Sequence, residues 1–200
     1  MHTELSFAFT GLEAFLLLAV PAVLALLLRQ LSRSAPPALI LPGRPFGIGG
    51  LLFWLLYGLS LEAVVRLFAF GRASGEVARV ISMNADFWLP AVETLIPLAA
   101  ASAALLTAIL LLTFGRSRAS LWTAVLCIWV AGPGYDALNA VILGIPFDPD
   151  RGFAGVSFFT IVATLYLLFS VRAGVTYGTG AARRLEARAS AEKNRYRIED

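Results

Sequence analysis

Histidine, cysteine and methionine are nearly missing from this chain, and charged residues are scarce. One histidine (His2), one cysteine (Cys127) and two methionines (Met1, Met83) leave no pair for axial ligation of haem, no disulfide and no His/Cys set for zinc. Histidine-dependent hydrolysis inside a membrane is excluded on the same ground. Charged residues make up 14% of the 200 residues and hydrophobic ones 58%, with a mean hydropathy of +0.78. That balance does not describe a soluble domain. It describes an all-α, polytopic integral membrane protein. The net charge of +3 is small and gathered in loops and tail, so it bears on orientation and lipid headgroups and gives no case for nucleic acid. No catalytic, cofactor or metal motif stands out, and we expect neither enzyme activity nor a cofactor.

A bilayer core of ~30 Å takes ~20 apolar residues per helix. The chain offers five such runs, at about 7–28, 46–70, 87–114, 120–145 and 153–177. The first is too long for a secretory signal, and its leader lacks Lys and Arg while Arg29 follows it, the pattern of an N-out anchor. Cytoplasmic loops carry the excess of Lys and Arg. Twelve of these residues fall on one side: Arg29, Arg33, Arg44, Arg116, Arg118, Arg172, Arg183, Arg184, Arg188, Lys193, Arg195 and Arg197. Arg66, Arg72, Arg79 and Arg151 fall on the other, partly offset by Glu76, Asp86, Asp148 and Asp150. The expected topology is therefore a bundle of five transmembrane helices, N-out and C-in, in a bacterial cytoplasmic membrane. Residues 178–200 form a basic cytoplasmic tail, read as a solvated end held near anionic lipid.

Ionisable side chains within a span cost roughly 2.5 to 3.5 kcal/mol each on insertion scales. Five occur here: Glu13, Glu62, Arg66, Glu93 and Asp136. Counted from the outer face at ~1.5 Å per residue, Glu13 and Glu93 lie about 9 Å deep, Glu62 about 12 Å, Arg66 about 6 Å and Asp136 about 13 Å. They fall in one layer. Glu62 and Arg66 are an i, i+4 pair in the favourable order. Asp136 shares a helical face with Gly132 and Asn139, and the last span adds hydroxyls at Ser157, Thr160 and Thr164. All five helices are thus expected to point polar groups into one pocket in the outer half. Pro133 between Gly132 and Gly134 predicts a kinked or briefly unwound span four beside Asp136. Such a break is tolerated at membrane depth when it is buried in protein or faces water.

The last span carries the spacing Tyr166, Ser170, Arg172, Thr176, Tyr177, which resembles the end of the bacterial domain-of-unknown-function 2569 family. Gly47-Ile-Gly-Gly-Leu-Leu-Phe-Trp-Leu-Leu and Phe114-Gly-Arg-Ser-Arg are similar to that family's glycine-led first shared helix and its short basic turn. The resemblance covers about 47–177 and implies a helical integral membrane protein with no established activity. On physical grounds Arg172 reads as an anchor at the cytoplasmic interface, meeting the helix dipole and lipid phosphates. Thr176 lies one turn on, and Ser170 is placed to bond back to a carbonyl.

The resulting expectation is a non-catalytic structural or partner-binding membrane protein. Its partners would be membrane lipids and either another membrane protein or a second copy of the chain. The alternative is a small transporter or sensor with an outward-facing ligand or proton site at Asp136, Glu62 and Glu93.

Overall fold

A computed structural model describes residues 11–39, 46–144, 153–180, 182–185 and 187. The described residues hold α-helices and short 3-10 turns and no strand. Three helical segments among them are long and apolar enough to cross a membrane: Phe15–Ser34, Leu51–Met83 and Ile96–Phe114. The number rises to five if each of two bent helix pairs is one span.

Helix α1 (Gly11–Leu31) keeps Pro21 in its interior without a break. A narrow seam of Pro21, Ala25, Leu28 and Ser32 is buried against α2, at helical spacing. Phe15, Leu18, Val23 and Leu27 are exposed on its other faces, which suits an apolar surrounding.

Helix α2 (Leu51–Met83) buries Leu52, Leu55, Leu56, Leu59, Ser60, Ala63 and Arg66 in one stripe, and that stripe ends at Arg66. The apolar run ends at Phe70, but the helix continues for 33 residues in all. At ~1.5 Å per residue it is about 50 Å long and overshoots a ~30 Å core. The stretch around Arg72, Glu76 and Arg79 is therefore helix, where the sequence suggested a connection.

A short α3 (Trp88–Glu93) is separated by Thr94 and Leu95 from α4 (Ile96–Phe114). Helix α4 is central, packed on both α2 and α5 (Arg118–Ala131). Ala101, Ala108 and Ala124 are fully or almost fully enclosed, as close helix approach requires. The α4–α5 turn is locked by a capping box. Ser120 N donates to Ser117 Oγ at 3.1 Å and Ser117 N to Ser120 Oγ at 3.2 Å. A Cβ at Gly115 would lie 2.5 Å from Ser120 and from the Leu111 carbonyl, so the turn has no room for a side chain there.

The expected break at Pro133 is present. Helix α5 ends at Ala131, and α6 (Pro133–Leu143) departs at 52°. Helix α7 (Phe153–Phe169) packs on both, and a Cβ at Gly132 would meet Thr160 Oγ1 at 2.7 Å. A second bend, of 66°, was not expected: α7 stops at Phe169, and α8 (Val171–Tyr177) leaves at that angle and packs on α5. Residues 173–179 are buried without interruption. The first residues of the tail pack as well, with Thr179 and Ala182 buried. The tail beyond 187 lies outside the described residues.

Candidate functional site

Of the expected polar pocket, the structure assembles one part. Arg66 Nε donates to Glu62 Oε1 at 2.8 Å. The Arg66 guanidinium also lies over the Tyr135 ring, 4.6 Å from its centroid, a favourable placement of a cation on an aromatic face. Arg66 is buried and its Nη1 has no partner among the described residues, while the Glu62 side chain is 49% exposed. Beside the pair is a cavity of about 280 Å³, walled by Gly58, Leu59, Glu62, Arg66, Gly132 and Thr160 among others.

On α7 the hydroxyl stripe has the expected helical spacing. Thr160 is buried, and its carbonyl accepts from Thr164 Oγ1 at 2.8 Å; Thr164 Oγ1 in turn accepts from Trp129 Nε1 at 3.1 Å. Ser157 Oγ is enclosed and has no partner among the described residues.

Other members of the expected pocket lie elsewhere. Glu93, Asp136 and Asn139 are half-buried and form no part of the cavity wall. The bend at Gly132 explains this for α6. A straight helix would carry Gly132, Asp136 and Asn139 on one face, but the 52° break ends that face after Gly132. Charged groups in the cavity therefore come from α2 alone, not from every helix. Asp136 lies in the first turn of α6, where a negative charge is stabilised by the helix dipole. The Glu13 side chain lies outside the described residues.

The other end of α2 holds a site that sequence reasoning missed. A cavity of about 390 Å³ is lined by Arg29, Arg33, Arg116 and Arg172, together with Ser32 and the stretch Gly47, Ile48 and Gly49. Four arginines from three stretches of chain meet there, and none of its lining residues is acidic. Arg116, in the α4–α5 turn, donates through Nη2 to the Ser32 carbonyl at 3.1 Å and through Nη1 to the Gly115 carbonyl at 3.3 Å. Its guanidinium is 6.0 Å from the Tyr177 ring centroid, and its Nε is enclosed without a partner among the described residues. Burial pulls the Arg116 guanidinium below its ordinary pKa, and Tyr177 partly offsets the shift. Arg29 lies 5.7 Å from the Phe53 ring centroid.

The residues expected to anchor the last span shape this second cavity. Ser170 accepts the Ala173 amide and so caps α8, the helix that begins after the bend. Thr176 Oγ1 donates to the Arg172 carbonyl at 2.8 Å and accepts from Gly47 N at 3.0 Å. The Ala38 and Leu39 amides donate to the Thr176 and Val175 carbonyls, both at 3.2 Å. A Cβ at Gly49 would collide with the Arg172 guanidinium. The signals were in the sequence: all four arginines were assigned to one side of the membrane, and Gly47, Gly49 and Gly50 are clustered. What was missing was the bend at Ser170.

Comparison with family models, with curated proteins and with solved structures gives no match.

Proposed function

We propose that this chain is a small bacterial inner-membrane protein of five spans, N-out and C-in, with a structural or partner-binding role rather than a catalytic one. The observation that carries the reading is the engagement of Arg66. Its charge is answered by Glu62 on the same helix and its flat face by Tyr135 on α6, so the polar layer serves to hold α2 to the broken span. Glu62 leaves half of its side chain exposed near the middle of α2. That is a costly place for a carboxylate in lipid, and another membrane protein or a second copy that covered it would relieve the cost. The orientation is supported by the gathering of Arg29, Arg33, Arg116 and Arg172 at one end. Resemblance to the domain-of-unknown-function 2569 family points to the same kind of protein. An outward-facing ligand site at Asp136, Glu62 and Glu93 has less support, because Glu62 is paired and the other two lie outside the cavity.

Cysteine accessibility tests the reading. In a Cys127→Ala background, cysteines replace Thr160, Asp136 or Arg183 one at a time, and intact cells are treated with a membrane-impermeant thiol reagent. Protection at Thr160, with Arg183→Cys labelled only after permeabilisation, is the expected result. Ready labelling at Thr160 would mean an open aqueous site and would overturn the structural reading; labelling of Arg183→Cys in intact cells would reverse the orientation.

A further inference from the structure

We infer that the arginine-lined cavity at the start of α2 binds a phosphate group, and that the headgroup of an anionic phospholipid is the source its surroundings favour. Bringing Arg29, Arg33, Arg116 and Arg172 around one cavity sets like charges against one another; Arg116 and Arg172 are half-buried and Arg29 and Arg33 exposed, so solvent screens that repulsion only in part. Among the described residues none of the four pairs with a carboxylate, since the one ion pair there is Glu62 with Arg66. Packing accounts for only part of the cluster. Arg116 is held by two carbonyls and Arg29 lies against Phe53, but those contacts neutralise no charge. A phosphate does, and guanidinium groups match its oxygens in geometry as well as charge.

The size of the site narrows the ligand. About 390 Å³ is near the lower end of the roughly 300–1,000 Å³ of small-molecule sites, which suits a headgroup rather than a polymer. The flanks favour a lipid. Phe46 lines the cavity, and Leu31, Leu51 and Trp54, close in the chain to its lining residues, are all more than half exposed. They offer an apolar path for acyl chains beside the phosphate. The assignment holds whichever face of the membrane this end meets.

The test uses the full chain in a non-ionic detergent, with thermal unfolding followed by tryptophan fluorescence. Dioctanoyl phosphatidic acid, dioctanoyl phosphatidylcholine and inorganic phosphate are titrated separately at matched ionic strength. A ligand of the native state raises the melting temperature as it saturates. The expected result is a saturable rise with phosphatidic acid and little with phosphatidylcholine. Arg33→Gln and Arg172→Gln should each weaken the phosphatidic acid response about tenfold, consistent with loss of a charge-assisted contact. Arg118→Gln, exposed and outside the cavity, should leave it unchanged. If inorganic phosphate saturates at the same concentrations as the lipid, the phosphate site stands and its ligand is soluble. No saturable response to either phosphate, or an equal response in Arg33→Gln and Arg172→Gln, overturns the inference.

Discussion

Arg66, in the middle of α2, lies over the ring of Tyr135 in the first turn of α6, with 4.6 Å between the guanidinium carbon and the ring centroid. The contact crosses from a long continuous helix to the second half of a broken one. It therefore fixes how the break is presented to the bundle. If the face of the ring supplies the attraction, Tyr135→Phe should keep it and Tyr135→Leu should lose it. The expected cost of the leucine is about 0.5–2 kcal/mol, in the range of cation–π contacts. Melting temperatures of the two variants in detergent check this, and equal losses would assign the effect to the hydroxyl or to packing.

The second relationship at this break is steric. A Cβ on residue 132 would come within 2.7 Å of Thr160 Oγ1 and 3.1 Å of the Ile128 carbonyl. Gly132→Ala should therefore destabilise by about 1–3 kcal/mol, the usual range for overpacking. Removing the hydroxyl in Gly132→Ala/Thr160→Ala should leave a combined loss smaller than the sum of the single losses, since the two sites share one contact. Strict additivity in a double-mutant cycle would show that the clash is with the backbone carbonyl alone.

The kink itself was legible in the sequence because its cause is local: Pro133 has no amide hydrogen to give and glycines flank it. The apolar runs were legible for the same kind of reason, since length and hydropathy are properties of a segment. Two features were not. Helix α2 continues past Phe70 because a helix need not end where its apolar run does, and Gly71 and Gly75 are too weak as breakers to stop it. The bend at Ser170 was hidden because neither proline nor a glycine pair marks it, and a serine after a long apolar run passes for a mid-helix hydroxyl. That one bend brings Arg172 to Arg29, Arg33 and Arg116. By the same logic Asp136, the deepest acid on a straight-helix count, does not line the cavity once the helix breaks at Gly132.

The α4–α5 turn should be sensitive to its cap. Ser117 and Ser120 satisfy each other's amides, and the tight turn holds Arg116 against the Ser32 carbonyl. Ser117→Ala should cost about 1 kcal/mol of stability, the typical loss for an N-cap serine. Ser117→Asp should retain most of it, because a carboxylate accepts the same amide and favours a helix N-terminus. Thermal denaturation of the two variants checks the prediction. An unaffected Ser117→Ala would mean that α4–α5 packing alone defines the turn.

Thr176 joins the last helix to the wall of the arginine cavity. Its hydroxyl donates to the Arg172 carbonyl and accepts from Gly47 N, a residue 129 positions away that lines the cavity. Valine has nearly the same shape and neither function, so Thr176→Val leaves the Gly47 amide without its acceptor in a partly buried place. The expected loss of stability is about 1–3 kcal/mol. Serine keeps the hydroxyl, and Thr176→Ser should recover most of that loss. If Gly47 to Gly49 shape the space that Arg172 enters, the valine variant should also respond more weakly to dioctanoyl phosphatidic acid than the serine variant does. Measuring both variants at a temperature well below either melting transition separates the two effects. A valine variant that is less stable yet binds the lipid as the unmodified chain does would confine Thr176 to packing, and the cavity would then owe its form to the arginines and the α4–α5 turn alone.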